Sequence, residues 1–343
     1  MVRKELTAPM SQTVSGADQA MPPSWQRWSV ALLVIAASVL PFAVAPFVLF
    51  QVTVALTYAI AILGLNLLTG FNGQFSLGHS TFYAIGAYTA AILIGSGSID
   101  YYWTIPIAGA VCFAFGFLFG LPALRLDGIY LALATFALAI ATPQILKLTP
   151  VEPWTGGVQG LVVERPAPPS WVPLDADQWL YFVTAATGLL LAWTAINLVD
   201  SRSGRAMIAI RDHPIAARAM GINVALYKPL AFGTSALYAG IGGALSAMTV
   251  QFVAPDSFTF VLAIGLFVGM VVGGVGSVWG ALPGGLFLLF VPNMAETVSK
   301  GLAGAVYGVI LILVIYLMPS GVAGMVRLAA RKLVAMRRSH GNG

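Results

Sequence analysis

Apolar stretches of roughly 20 residues recur along this chain, and that is the length a helix needs to cross a bilayer. Short polar or glycine-rich joints separate them. The pattern predicts about ten spans, near residues 28–45, 47–68, 76–95, 102–123, 128–148, 178–199, 229–250, 258–275, 279–293 and 302–318. The ninth is short and the fourth carries Pro106, so their boundaries are the softest. The expected fold is all-α, a polytopic transmembrane helical bundle over 28–320 with broken or re-entrant helices. A polar tail precedes it (1–27, expected to be disordered) and a basic tail follows (321–343). "AVA" at Ala43–Ala45 resembles a signal-peptide cleavage site, but the polar tail before it is long and further spans follow at once. Two connections are longer than the rest. Residues 149–177 are rich in Pro, Gly and Trp, a composition of turns. Residues 200–228 are polar and basic.

Composition agrees with this class. Hydrophobic residues make up 59% of the chain and charged residues 8%, against about 25% charged in soluble domains. Glycine, at 37 of 343 residues, suits helices that pack closely in lipid. Cys112 is the only cysteine, which excludes an intrachain disulfide and a thiolate metal cluster.

Charge orients the bundle. With the amino terminus inside and ten alternating spans, fourteen of the 17 Lys and Arg residues fall on the inner side. Only Lys147, Arg165 and Lys300 fall outside, as the positive-inside bias requires. Both termini and residues 200–228 are then cytoplasmic, and 149–177 is external. The basic residues thus set orientation and are not a nucleic-acid footprint. The tail "RLAARKLVAMRRSH" is suited to lie on the inner surface against anionic lipid.

Within the spans, Gly265, Gly269 and Gly273 stand four apart on one helix face, and Gly276, Gly280 and Gly284 repeat the spacing. "GFLFG" (Gly116–Gly120) and "GAVYG" (Gly304–Gly308) add two pairs. Small residues so spaced let helix backbones approach closely, so helix packing is their expected role. A second polar stretch, Gly64–Tyr88, places Asn66, Asn72, Gln74, Ser76, His79 and Ser80 among apolar residues, with Gly70, Gly73 and Gly78 able to break the helix. Broken helices in membranes line a cavity or are buried in protein. Asn66, Gln74, Ser76 and His79 are therefore candidates for a translocation path. The alternative for His79 is a hydrogen bond to a neighbouring helix.

No catalytic constellation is present. There is no His-Glu-x-x-His helix, no Gly-x-Ser-x-Gly elbow, no nucleotide-binding P-loop and no carboxylate pair within a span. Asp100, Asp127, Asp256 and Glu296 all fall near span ends, so no proton relay at mid-depth is evident. The chain reads as a transport component and not an enzyme. Its driving energy comes from elsewhere, or from a sodium site built of carbonyls.

The 200–228 connection holds a compact helix signal. Pro214 follows His213 at a first-helical position, "IAARAM" continues it, and Gly221 stands where a left-handed cap would close it. Two readings are open: a helix that docks a partner, or a solvated connector.

Several stretches in order resemble the LivM-type permease subunits of branched-chain amino acid ABC importers. They are "GQFSLGHSTFYAIGAY", "LPALRLDGIYLALATFALA", "WTGGVQGL", "SGRAMIAIRDHPIAARAMGINVALYKPLAFGTSALYAGIGGAL", "PDSFTF" and "VVGGVGSVWGALPGG". Together they span about Leu56 to Pro319. The resemblance implies a multi-pass protein of the bacterial inner membrane. It also implies a second homologous permease subunit, two cytoplasmic ATPases that use ATP and magnesium, and an external substrate-binding protein. No cofactor is implied in this chain. Arg211–Gly221 becomes the coupling helix. Ile215, Ala216, Ala219 and Met220 would offer apolar contact to an ATPase, and Arg211, Asp212 and Arg218 would fix register. The conduit would run beside Gln74–His79, with alternating access as its mechanism. Two positions depart from the pattern, Gly265 where such proteins often carry glutamate and Ile140 near a frequent glutamine. Relatives of this type also move urea, short amides or aromatic acids. A sodium-coupled carrier working alone is the competing mechanism.

Overall fold

A computed structural model describes residues 38–326 and 328 except 98, 127, 299 and 300. Residues 28–37 of the first predicted span, the whole 1–27 tail and all of the 321–343 tail but 321–326 and 328 lie outside the described residues. The chain divides into two units, Met1–Val44 and Ala45–Gly343. In the first, residues 38–43 are helical. All that follows concerns the second.

Its long helices are α1 (Pro46–Leu65), α2 (His79–Gly95), α3 (Tyr101–Ala123), α4 (Ile129–Leu146) and α5 (Ala176–Asp200). Two short helices, α6 (Arg202–Asp212) and α7 (Pro214–Ala219), lead into α8 (Val224–Val250). The last three are α9 (Phe260–Gly273), α10 (Ala281–Val298) and α11 (Ala303–Leu317). The architecture is an all-α polytopic bundle. Seven helical stretches among the described residues are long and apolar enough to cross a membrane, fewer than the ten spans predicted. Helices also stand at 79–95 and 303–317, but with 17 and 15 residues they are shorter than the hydropathy pattern suggested. For α2 the cause is visible: the chain ahead of it, 72–78, is unwound.

The bundle is organised around α8, which packs on α1, α2 and α3. In its most apolar window 83% of residues are buried, against 17% for α5. Glycine permits the crossings. A Cβ on Gly243 would overlap the Tyr83 carbonyl, and one on Gly240 would overlap the Cys112 side chain. Ser235 and Tyr238 of α8 lie so close to α1 that a Cβ on Gly64 would sit 2.7 Å from Tyr238 Cβ. α9 and α10 pack on each other and on α1. There Gly265 faces Leu288, Gly269 faces Ile62 and Gly284, and Gly273 faces Gly280. Gly304 and Gly308 differ from the sequence expectation: among the described residues nothing comes near them.

Helix ends collect in two layers. One holds the end of α1, the α6–α7 segment, the start of α8 and the α9–α10 joint. The other holds the 149–177 connection. There β1 (Leu161–Val162) pairs antiparallel with β2 (Phe252–Val253), and Lys147 pairs with Asp256 at 2.6 Å. Trp179 Nε1 donates to Tyr101 Oη at 2.7 Å, and Arg165 pairs with Asp177. Gln251, left-handed at φ 61°, ends α8 and turns the chain into β2. The alternation read from the hydropathy pattern assigns these same segments to common sides.

A broken helix and a basic surface segment

α1 does not stop at Leu65. It widens into a π-helix, Asn66–Phe71, with every residue buried. The helix ends there, and residues 72–78 form an irregular segment before α2 begins at His79. A buried break must find partners for its polar groups, and side chains supply several. Leu77 N donates to Thr135 Oγ1 of α4 at 2.9 Å, and Thr69 Oγ1 donates to the Gln74 carbonyl at 3.0 Å.

Asn66 is fully engaged with the α9–α10 joint. Its Nδ2 donates to the carbonyls of Gly274 (3.1 Å) and Ser277 (2.9 Å), and its Oδ1 accepts from Gly276 N at 2.7 Å. The amide thus reads one carbonyl–amide–carbonyl pattern in a turn where Gly274 and Gly276 have φ of 121° and 73°. A carboxylate could not reproduce it, because it has no donor for the two carbonyls.

Ser76 and His79 meet. Ser76 Oγ lies 3.2 Å from His79 Nδ1, and His79 Nε2 lies 2.7 Å from Ser235 Oγ in α8. Ser235 Oγ donates in turn to the Gly64 carbonyl of α1 at 2.6 Å. The direction of the chain follows from its end. The Gly64 carbonyl only accepts, so the Ser235 hydroxyl spends its proton there and must accept from His79. The imidazole therefore carries its proton on Nε2, and Nδ1 accepts from the Ser76 hydroxyl, which itself accepts from Gly78 N at 3.3 Å. His79 ties three helices, α2, α8 and α1, through one directed set of bonds. Gln74 Nε2 donates to Asn72 Oδ1 (2.8 Å) and to the Lys228 carbonyl (3.2 Å). Asn72 Nδ2 is buried with no partner among the described residues.

The predicted short helix is formed. Ser201 caps α6 by accepting from Gly204 N at 3.3 Å. Pro214 takes the first position of α7, and Gly221 (φ 83°) ends it. Ile222 N donates to the Ala217 carbonyl and Gly221 N to the Arg218 carbonyl, both at 3.0 Å, which is the bond pair of a Schellman motif. Of residues 211–221 only Ala217 is buried, in a small cluster with Ile210 and Val224. Ile215 and Met220 are 82% and 83% exposed, and Asp212, His213, Ala216, Arg218 and Ala219 are exposed beside them. Arg211 bonds Asp212 through Nε (2.9 Å) and reaches the Gly70 carbonyl through Nη1 (2.8 Å). Apolar tips that water would surround, on a helix held down by one alanine and flanked by cations, form a surface shaped for contact.

The structure therefore brings Ser76 and His79 together and joins Gln74 to the start of α8. It sets Asn66 apart, on the α9–α10 joint. Sequence reasoning did not single out Ser235 or the α8 glycines Gly240 and Gly243. The signal for them was the density of small residues in "SALYAGIGGAL". Among the described residues no three His, Cys, Asp or Glu side chains converge as a metal site.

Comparison with known proteins places this geometry. Residues 47–315 match the family model for the branched-chain amino acid transport system permease component. The chain is 32% identical to the high-affinity branched-chain amino acid transport system permease protein LivM of Escherichia coli (strain K12), over 87% of this chain and 75% of that one. It is 26% identical to LivH of the same strain over 80% of this chain and 93% of that one. It is 27% identical to BraD of Pseudomonas aeruginosa over 79% and 93%. No solved structure matches.

Proposed function

Because the chain belongs to the permease-component family of branched-chain amino acid transport systems, we propose that it is a membrane subunit of an ATP-driven importer for branched-chain amino acids. It sits in the bacterial inner membrane with both termini and the α6–α7 segment in the cytoplasm. The sidedness of Lys and Arg supports that orientation. The chain's relatives include two different permease proteins from one bacterial strain, LivM and LivH. A second, homologous permease subunit is accordingly its partner in the membrane. Two cytoplasmic ATPases bind and hydrolyse ATP with magnesium, and an external binding protein delivers the solute.

The observation that carries the reading is α7 itself. A six-residue helix closed at both ends presents Ile215 and Met220 to the outside on the basic face. In this reading α7 seats in a cleft of an ATPase, where Ile215, Ala216, Ala219 and Met220 make apolar contact. Arg211, Asp212 and Arg218 set its register. Closure of the ATPases moves the segment, and the bundle exchanges outward and inward access for the solute.

The test is uptake by the reconstituted complex from a panel of leucine, isoleucine, valine, urea, short amides and aromatic acids. Uptake of the branched-chain amino acids that requires both ATP and the ATPases supports the proposal. Uptake that follows an ion gradient without nucleotide refutes it. A preference for urea, amides or aromatic acids would keep the mechanism and reassign the cargo.

A further inference from the structure

We propose that the broken end of α1 is the element through which movement of the docking segment enters the membrane domain. Arg211 and Gln74 are the positioning residues that make the two move as one body. The inference rests on the docking role of α7 argued above.

The docking segment has two ends, and both are tied to the short stretch from Gly70 to Gln74. At its leading end, Arg211 Nη1 donates to the Gly70 carbonyl at 2.8 Å. The helix stops at Phe71, so that carbonyl is among the last four, which find no partner further along the helix. A guanidinium there also meets the negative end of the helix dipole. At its trailing end, the Lys228 carbonyl accepts from Gln74 Nε2 at 3.2 Å. Between these points the backbone of Gly73 lies against the Arg211 stem: a Cβ on Gly73 would stand 2.6 Å from Arg211 Cγ and 3.2 Å from Arg211 Cβ. Gly73 has φ of 76° and no room for a side chain. α7 itself has only Ala217 buried among its residues. A force on α7 therefore reaches the membrane domain through these bracketed ends, alongside the packing of Met207 in the core and of Ala217 on Ile210 and Val224. From the break it has a way onward. Asn66 lies four residues before Gly70, on the same helix face, and holds the α9–α10 joint with three hydrogen bonds.

The experiment uses the whole transporter in proteoliposomes, with the ATPases and binding protein present and radiolabelled leucine as the probe. Arg211→Met removes the leading tie, and Gln74→Leu, at a buried position, removes the trailing one. Gln74→Leu is expected to keep the ATPases bound and hydrolysing, while Arg211→Met, at a residue that also faces the ATPase, is read only as leucine moved per ATP hydrolysed. That ratio falls about tenfold where the charge-assisted bond of Arg211 is lost and about threefold where the neutral bond of Gln74 is lost. The pair G73C/R211C then replaces the tie with a covalent one, since the Cβ separation suits a disulfide after a small adjustment. Reduced, the pair should be as uncoupled as Arg211→Met. Oxidised, it should regain coupling, and reductant should abolish it again. G73C alone measures the cost of a side chain at that φ. Unchanged leucine per ATP in both single variants overturns the inference. So does an oxidised pair that blocks uptake, because the break and the docking segment would then have to move apart during the cycle. Loss of ATPase binding in Gln74→Leu overturns it too. Failure of the underlying reading looks different: the unmodified transporter would take up leucine with no ATP at all.

Discussion

The His79 chain of bonds makes a prediction that separates a structural histidine from one in the solute path. Ser235→Ala removes the acceptor of His79 Nε2–H in a site where His79 and Ser235 are both buried. A stranded buried donor costs about 1–3 kcal/mol in soluble cores. Between membrane helices the measured pair terms are smaller, about 0.6 kcal/mol on average and about 1.7 at most, because the reference state in the bilayer also finds partners. Three consecutive bonds that join three helices polarise one another. A coupling near the upper membrane value, about 1.5 kcal/mol, is therefore expected between positions 79 and 235. His79→Leu leaves the Ser235 hydroxyl on the Gly64 carbonyl but strands the Ser76 O–H, which had donated to Nδ1. Each single change thus strands one buried donor, and the two should cost similar amounts. Thermal unfolding of the purified complex for both single variants and the double measures the coupling. Uptake of the double variant then decides the role. If the histidine only joins helices, H79L/S235A should transport within about twofold of the unaltered protein. Additive stability effects would refute the bond chain. Lost uptake in a stable double variant would place His79 in the path.

Three further outcomes follow from the same structure. Met220→Glu and Ile215→Glu should leave stability within about 0.5 kcal/mol, as surface changes do, while co-purification of the ATPases and uptake are lost. Asn66→Asp should destabilise at least as much as Asn66→Ala in thermal unfolding, because an anion would face the Gly274 and Ser277 carbonyls; a milder effect would show that the joint does not depend on amide donors. Gly243→Ala should abolish accumulation in the membrane through overlap with Tyr83, while Gly304→Ala and Gly308→Ala leave expression unchanged; equal effects at the three sites would refute the packing argument.

How much of this was legible beforehand depended on the kind of information each feature needs. Crossing a bilayer requires a run of apolar residues of fixed length. That is a property of a line, so the class could be read from it. The caps of α7 were equally local: Pro214, the left-handed Gly221 and the intervening helix formers act within one turn or two. The unwinding near Gly70–Gly78 was also signalled, by glycines amid polar residues.

The identity of the central helix was not. In water a buried face and a wet face differ in polarity, but in lipid both faces of a span are apolar, so amphipathic periodicity carries little information. α8 and α5 both read as spans, yet one is the hub and the other lies at the edge. The hub is in fact the least hydrophobic of the seven, with a mean hydropathy of 1.2, because glycine, serine and alanine replace larger side chains where helices cross. Gly304–Gly308 has the same spacing as Gly265–Gly269 and meets nothing, since spacing defines a face but not what lies opposite. Partners also escaped the sequence. His79 with Ser235, Asn66 with the turn at Gly274–Ser277, and Arg211 with the Gly70 carbonyl are separated by 156, about 210 and 141 residues. The chain's own order determined that it lives in a membrane, where it turns and where it offers a short helix. Only packing in three dimensions decided which polar groups satisfy one another, because hydrogen bonds at that range exist only once the helices have met.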